Sequence, residues 1–279
     1  MNHIFKDKFN KTPSVIIDDV FYYDSKDVGD QFFEEEVEEW SKNGVFQKIY
    51  SDGRKHKNND IFIKLANKVV ELNLAYMEIS CGPGLGLTPF IKNIKPTIPS
   101  LITDACPYIV KYWNEYIRKN NIEPTISFAS FDNCNMPLKS ESIDVITSYL
   151  GIGSTRFDGP NNLNCISEIY RVLKNGGYLI TYENELDDYD AVNDIFNTAN
   201  KYNHYKNPKI IGTLKERLEK VGFTIIDFFD IGKELIGQDD SELGELSYMQ
   251  GKEVYWAEKA FIVKKEIKHK IYLSLLITF

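Results

Sequence analysis

A glycine-rich turn directly after an acidic residue is the segment of this sequence best suited to chemistry. The run from Tyr76 to Gly86, YMEISCGPGLG, carries Glu78 on an apolar stretch and then Gly82 and Gly84. Glycine tolerates positive φ angles and lets a ligand approach the backbone with no Cβ in the way. Nucleotide-type cofactor sites use such turns, but the dinucleotide fingerprint G-x-G-x-x-G would need glycine where Leu87 stands.

Acidic residues also close two later apolar runs. Asp104 follows residues 101–103, where a carboxylate can accept hydrogen bonds from both hydroxyls of a ribose. The other role open to it is to cap the helix that Pro107 begins. Asp132 and Asn133 follow a third run, and by themselves they are equally typical of a plain turn.

Alternating strand and helix patterns surround these residues and must position them. Apolar runs predict seven strands, at residues 75–79, 101–103, 125–131, 143–150, 177–182, 223–229 and 254–263. Helical periodicity lies between them, at residues 61–72, 88–93, 107–117, 160–173 and 214–221, and Asn175 to Gly177 is expected to stop the fourth of these helices. This alternation predicts an α/β fold, a doubly wound, mostly parallel seven-stranded sheet with helices on both faces. Sites in such sheets lie at the carboxyl ends of the strands.

Three of these segments resemble motifs of the Rossmann-like, class I family of S-adenosylmethionine-dependent methyltransferases, in its methyltransferase type 11-like form. The segment EISCGPG from Glu78 is similar to the first motif of that family, with Ser80 where the first glycine is usual. Asp104 matches the ribose-binding acid of the family. Asp132 and Asn133 match the pair that contacts adenine.

Later blocks extend the resemblance in the family's order. The segment EIYRVLKNGG, from Glu168 to Gly177, resembles the E-x-x-R-V-L-K-P-G-G helix and turn, with Asn175 in place of proline. Residues 142–146 resemble its fourth strand, where Asp144 is expected to be structural, and residues 214–223 resemble its L-x-x-x-G-F segment. The resemblance covers about residues 60–265.

The resemblance implies S-adenosyl-L-methionine as cofactor and in-line transfer of its methyl group to a small-molecule acceptor. The residues that it implies as cofactor-binding are Glu78, Ser80, Cys81, Gly82, Gly84, Asp104, Ala105, Asp132, Asn133 and Tyr149. The catalytic residue stays open, with Tyr149 and His204 as candidates. Tyr182, Glu183 and Arg156 also fall near predicted strand ends, and Arg54 could meet the cofactor carboxylate.

Residues 1–56 precede the alternating pattern and are expected to form a helical, aromatic-rich extension. Phe33, Val37 and Trp40 lie at i, i+4 and i+7, which predicts one amphipathic helix. It either packs on the core or serves as a lid over a substrate pocket. The predicted division is therefore 1–56 for the extension, 57–265 for the cofactor-binding domain and 266–279 for an apolar tail.

The amino-acid composition narrows the classes of partner that are expected for this protein. The formal net charge of −8 disfavours DNA or RNA, and the one basic run, Arg54 to Lys57, is short. The four cysteines and four histidines show no metal-ligand spacing, so no metal is expected. Neither a secretory signal nor a bilayer-spanning stretch is visible, which predicts a cytoplasmic protein that does not bind a membrane. The oligomeric state is open.

Two other function classes remain on sequence grounds. A catalytically inactive cofactor-binding or interaction protein of the same fold is compatible with Ser80 and with the lack of an evident base. A nicotinamide-dependent oxidoreductase shares the glycine turn and Asp104, but Leu87 and the block from Arg171 to Gly177 speak against it.

Overall fold

The computed structural model describes residues 3–24, 33–51, 59–122, 125–153, 155, 163–201 and 212–266. Its strands are β1 (Val15–Ile17), β2 (Val20–Tyr22), β3 (Tyr76–Ile79), β4 (Ser100–Asp104), β5 (Ile126–Ser130), β6 (Ile143–Tyr149), β7 (Leu173–Leu186), β8 (Phe223–Leu235) and β9 (Tyr255–Lys265). Its helices are α1 (His3–Lys6), α2 (Glu34–Lys42), α3 (Val45–Ser51), α4 (Asn59–Leu72), α5 (Thr88–Ile94), α6 (Pro107–Lys119), α7 (Leu163–Val172), α8 (Tyr189–Thr198), α9 (Leu214–Val221) and α10 (Glu242–Met249).

One sheet joins all the strands of the described residues, in the order β1-β2-β5-β4-β3-β6-β7-β9-β8. Strands β3 to β7 are mutually parallel, and β9 runs antiparallel between β7 and β8. Helices α5, α6 and α7 lie in the crossovers from β3 to β4, from β4 to β5 and from β6 to β7, whereas residues 131–142 join β5 to β6 without a helix. This confirms the Rossmann-like, doubly wound fold class.

The expected count of seven strands is wrong, because the extension adds two strands to the sheet edge. Strand β2 pairs parallel with β5, with Phe21 opposite Ala129, and β1 pairs antiparallel with β2. The hairpin turns at Asp18 and Asp19, whose φ angles are +49° and +62°. Strands of three residues are too short to show a period, and Asp-Asp is a weaker hairpin signal than Asn-Gly, so the pattern did not predict them.

The fifth predicted strand is longer than expected and begins earlier. Helix α7 ends at Val172, and β7 starts at once with Leu173 and runs for 14 residues. The predicted helix stop at Asn175 to Gly177 therefore lies inside the strand. A Cβ at Gly177 would lie 2.8 Å from the carbonyl oxygen of Asp144, so close strand pairing explains that glycine.

Helices α8 and α10 were not predicted. Asp188 caps α8 by accepting the Ala191 N–H, and Ser241 caps α10 by accepting the Gly244 N–H. The two helices pack together against the carboxyl end of β7 and the amino end of β9. The buried residues that they contribute are Val192, Ile195, Phe196, Leu243 and Leu246.

Two apolar layers bury the faces of the sheet. Alternate residues of β3 illustrate this, because Tyr76 joins the layer under α4 and α6 whereas Met77 joins the layer under α7 and α9. Within the described residues, no helix is long and apolar enough to cross a bilayer.

The extension contributes to the first of these layers. Phe46 of α3 is 1% exposed and its ring centroid lies 4.5 Å from that of Trp113. The predicted helix is present as α2, with Val37 buried and Trp40 packed on the core. Phe33 was expected on its apolar face, but it is 64% exposed, because it precedes the first helical turn as N-cap. The division of the chain at residue 57 stays a prediction.

Candidate active site

The carboxyl ends of β3, β4, β5 and β6 meet at one edge of the sheet, because these strands are parallel and adjacent. These ends bring together the glycine turn after Ile79, the acid Asp104, the loop after Ser130 and the ring of Tyr149. The residues singled out in the sequence on separate strands thus converge on one edge, where sites of such sheets lie.

Glu78 lies fully buried beneath the glycine turn and holds it closed. Its Oε2 accepts the Leu87 N–H at 3.2 Å and the Thr147 hydroxyl at 2.6 Å. Gly86 has a φ of +55°, and a Cβ there would lie 1.9 Å from Glu78 Oε1, so only glycine fits. The Leu87 amide is already used by Glu78, at the same position where the dinucleotide fingerprint would need glycine.

Ser80 occupies a left-handed backbone conformation with a φ of +48°, which explains why glycine is usual at this position. The serine side chain is tied into the site instead. Its hydroxyl accepts a 2.7 Å hydrogen bond from Asn133 Nδ2 and donates to the carbonyl oxygen of Gly151 at 3.4 Å. Ser80 therefore joins the turn after β3 to the loops after β5 and β6.

Asp104 is 6% exposed and binds two backbone amides. Its Oδ2 accepts the Gly82 N–H and its Oδ1 accepts the Cys106 N–H, both at 2.8 Å. Burial raises the pKa of this carboxyl, and the backbone donors Cys106, Gly82 and Ala105 oppose the rise. Each oxygen keeps a second lone pair. The residue thus fixes the glycine turn, orders the start of α6 and retains acceptors for a ligand.

The segment after β5 is a turn held by its own acid. Asp132 Oδ1 accepts the Cys134 N–H at 2.7 Å, which is the local Asx turn that such residues favour. Asn133 is 3% exposed, and within the described residues its buried Oδ1 has no hydrogen-bond partner. On the β4 side, Ala105 accepts the Ser130 hydroxyl at 3.3 Å.

Tyr149 ends β6 beside Tyr182 of β7, as the pairing register places them opposite each other. Their ring centroids are 5.4 Å apart, and Phe62 of α4 lies 5.4 Å from Tyr149 and 4.9 Å from Tyr182. An aromatic wall therefore stands at the site edge, with Tyr149 its partly exposed member. His204, Arg156 and Arg54 lie outside the described residues.

Residues 77–181 match a family model described as a methyltransferase domain. This chain carries a class I methyltransferase domain. The match contains the glycine turn, Asp104, Asp132, Tyr149 and the block that ends at Gly177. The cofactor of such a domain is S-adenosylmethionine.

Individual proteins similar to the chain are distant. A sterol 24-C-methyltransferase of Debaryomyces hansenii is 28% identical over 132 residues, which are 47% of this chain and 33% of that protein. The matched part thus spans a third of the length of that relative. A structure described as a sarcosine dimethylglycine methyltransferase from Galdieria sulphuraria aligns at a TM-score of 0.52 and 13% identity, over 73% of this chain and 85% of that one. The structure of the MccD protein aligns at a TM-score of 0.51 and 14% identity, over 72% of this chain and 96% of that one. These two structures support the fold.

The methyltransferase domain has the groups that fit its cofactor. Gly82 has a φ of +53°, and a Cβ built on it meets no atom within 4 Å, so the turn opens onto free space. Asp104 and the partly exposed Asp132 supply carboxylate acceptors on adjoining strand ends. The unpartnered Oδ1 of Asn133 adds a buried acceptor there. Acceptors for hydroxyl and amino groups around an open glycine turn suit a nucleoside-containing cofactor.

Glu168 and Arg171 lock the loop after β5 in this domain. Arg171 bonds bidentately to Glu168 at 2.7 Å per contact and donates to the carbonyl oxygens of Met136, at 3.0 Å, and Leu138, at 2.7 Å. Glu168 in turn accepts the Met136 N–H at 2.9 Å. The E-x-x-R block is therefore structural, since it anchors the loop that carries Asp132.

Glu183 performs a comparable role for the loop after β6. It is 2% exposed, and its carboxylate accepts four hydrogen bonds, from the hydroxyls of Ser148 and Thr181 at 2.7 Å each and from the amides of Ile152 and Gly153 at 3.2 and 3.1 Å. Burial raises the pKa of this carboxyl, against the effect of these donors. The sequence placed Glu183 near a predicted strand end, but it did not predict that this carboxylate holds the loop.

Proposed function

We propose that this protein transfers a methyl group from S-adenosylmethionine to a small organic acceptor. The observation that supports this most is the open glycine turn at Gly82, which is bonded directly to Asp104 at the sheet edge where Asp132 and Tyr149 also lie. In this proposal Asp104 binds the ribose hydroxyls, and Asp132 with the Asn133 backbone binds the adenine. Ser80, Cys81, Gly82 and Gly84 form the turn that the cofactor lies against, Ala105 borders it, and Glu78 supports it from below.

When bound, S-adenosylmethionine supplies a methyl group on a positively charged sulfur. The protein's own task is to place the acceptor in line with that group and to keep water out, which can supply several kcal/mol of the barrier reduction. The wall formed by Tyr149, Tyr182 and Phe62 suits this task because it is rigid and largely apolar. Tyr149 is the part of the wall that the acceptor would contact.

The acceptor is proposed to be a small molecule because the protein carries a net charge of −8, which repels phosphate backbones. A general base is useful where the acceptor is a hydroxyl or a protonated amine. Tyr149 and His204 are the candidates for such a base. Glu183 is not one, because its carboxylate is occupied by four donors inside the protein.

Titration calorimetry with S-adenosylmethionine, S-adenosylhomocysteine and NAD in parallel tests the cofactor part of the proposal. Micromolar binding of both sulfur ligands, and none of NAD, is the expected result. Release of S-adenosylhomocysteine on incubation with pools of small hydroxyl, amine and thiol compounds then tests turnover. Binding of the cofactor without turnover on any pool would favour an inactive cofactor-binding protein, and failure to bind the sulfur ligands would overturn the proposal.

A further inference from the structure

A cleft of about 470 Å³ lies between the β1–β2 hairpin and helix α6, at the sheet edge that the extension adds. Its size is within the range of small-molecule sites. Strands β5, β4 and β3 separate it from β6, so Ser130 on its floor lies three strand spacings, about 14 Å, from Tyr149. It is therefore distinct from the place proposed for methyl transfer.

The hairpin wall of the cleft is held in place from α6. Asn114 Nδ2 donates to the carbonyl oxygen of Asp18 at 3.3 Å, and the guanidinium of Arg118 bonds the same carbonyl. Arg118 also forms an ion pair of 2.9 Å with Asp19. The turn of the hairpin is thus fixed at three points, and the cleft is a formed feature of the described residues.

Carboxylates dominate the charge of the cleft lining. Asp18, Asp24, Glu34 and Glu115 all line it, and Lys111 is the one cation among the described lining residues. Lys111 is already paired with Glu34 at 2.8 Å. Among the described lining residues, no further cation offsets the other three carboxylates, which give this part of the cleft a negative potential.

Apart from Ser14, Asn114 and Ser130, the remaining described lining residues are apolar or aromatic. Val15 and Ile17 are 46% and 53% exposed, and Tyr22, Tyr23 and Tyr108 border the same space. Burial raises the pKa of Tyr22, and it raises the pKa of Tyr23 to about 12. Both hydroxyls are therefore neutral at physiological pH, and neutral tyrosine rings attract cations to their faces.

We propose that this cleft binds an organic cation, an ammonium group carried on an apolar or aromatic body. Asp18 and Glu115 receive the charge, and Val15, Ile17 and the tyrosine rings receive the body. Anions are repelled by the same carboxylates, and neutral compounds gain only the apolar contact. The floor of the cleft also adjoins the cofactor segment, because Ser130 donates to the carbonyl oxygen of Ala105.

Binding of three probes of matched size to the full-length protein tests this inference. 4-Phenylbutylammonium, 4-phenylbutan-1-ol and 4-phenylbutanoate share a phenyl ring on a four-carbon chain and carry a cationic, a neutral and an anionic head group. By calorimetry, the ammonium is expected to bind about tenfold more tightly than the alcohol, as a cation–π contact and partly exposed ion pairs together provide. The carboxylate is expected not to bind. Added NaCl is expected to lower the affinity for the ammonium, because salt screens the charges.

The double variant D18N/E115Q is expected to lower the affinity for the ammonium about fivefold and to leave that for the alcohol unchanged. The matched control is D239N/E245Q, which removes two exposed charges elsewhere and is expected to change neither. Equal affinity for the ammonium and the alcohol, or an equal effect of both double variants, would overturn the proposal. Competition between the ammonium and S-adenosylhomocysteine would place the probe in the cofactor site and overturn it as well.

Discussion

The side-chain amide of Asn133 donates a 2.7 Å hydrogen bond to the hydroxyl of Ser80. The two residues belong to loops after β5 and β3, which are separated in the sheet by β4. This contact provides a structural role for a serine at a position where glycine is usual. The same hydroxyl bonds Gly151 in the loop after β6, so one side chain links three walls of the site.

Substitution of Ser80 separates the cost of the left-handed backbone from the value of this contact. We expect Ser80→Ala to lower the free energy of unfolding by about 1–3 kcal/mol, because it strands the buried amide of Asn133. Ser80→Gly loses the same bond but relieves the φ of +48°, so it should be more stable than Ser80→Ala by about 0.5–1 kcal/mol. Urea unfolding of both variants measures this. Greater stability of the alanine variant would contradict the assigned conformation.

Asp104 is expected to be the side chain on which cofactor affinity depends most. Asp104→Ala should weaken binding of S-adenosylhomocysteine by about 1–3 kcal/mol, the cost of losing hydrogen bonds to a charged acceptor. The matched control is Asp144→Ala. Asp144 lies near the amino end of β6, opposite the strand ends that form the site, and it pairs with Lys174 at the surface. Calorimetry on the two folded variants provides the comparison. Unchanged affinity in Asp104→Ala would remove this residue from the site.

Gly82 offers a test of the open space beside the turn. A Cβ built on Gly82 or on Gly251 meets no atom within 4 Å, and their φ angles are similar, +53° and +62°. Alanine at either position should therefore cost a similar stability, about 1 kcal/mol. Only Gly82→Ala should weaken the binding of S-adenosylhomocysteine, by roughly tenfold, because its new methyl group enters the space assigned to the ligand. Equal affinities of the two variants would show that the ligand does not approach Gly82.

Much of this arrangement was predictable from local pattern, and the remainder depends on contacts that span loops. Apart from helices α8 and α10, the order of strands and helices along the chain after residue 58 follows from apolar periodicity, and the convergence of Gly82, Asp104, Asp132 and Tyr149 follows from the geometry of parallel sheets. The bonds from Ser80 to Asn133 and from Glu183 to the loop after β6 join residues 53 and about 30 positions apart, which no periodicity reports. The edge hairpin was missed because its strands are three residues long.

The buried carboxylate of Glu183 should give the stability a specific pH dependence. Burial raises its pKa above the ordinary value of 4.5, so between these two values the native state binds more protons than the unfolded state. Stability from this group therefore falls as the pH rises through that window. Glu183→Gln cannot titrate, so the difference in unfolding free energy, wild type minus variant, should grow in favour of wild type as the pH is lowered from 8 towards 4.5.

Urea unfolding across that pH range measures the difference, and the titration of Asp104 cancels because both proteins carry it. The variant should also bind S-adenosylhomocysteine more weakly at every pH. A Gln amide nitrogen facing the Gly153 N–H would place two hydrogen-bond donors against each other, and the loop after β6 would lose this anchor. A difference that is constant with pH would show that Glu183 is not the titrating group.

Phe46 tests whether the extension folds as part of the core. Its ring is 1% exposed and packs on Trp113 of α6, so Phe46→Ala should lower the free energy of unfolding by about 3–5 kcal/mol. Phe33→Ala is the control of the same chemistry, because that ring is 64% exposed and should cost within about 0.5 kcal/mol. Urea unfolding should show a lower midpoint for Phe46→Ala with an unchanged slope, since the whole chain unfolds together. Equal midpoints for the two variants would mean that α3 does not dock on the sheet, and a second transition in Phe46→Ala would mean that the extension folds separately.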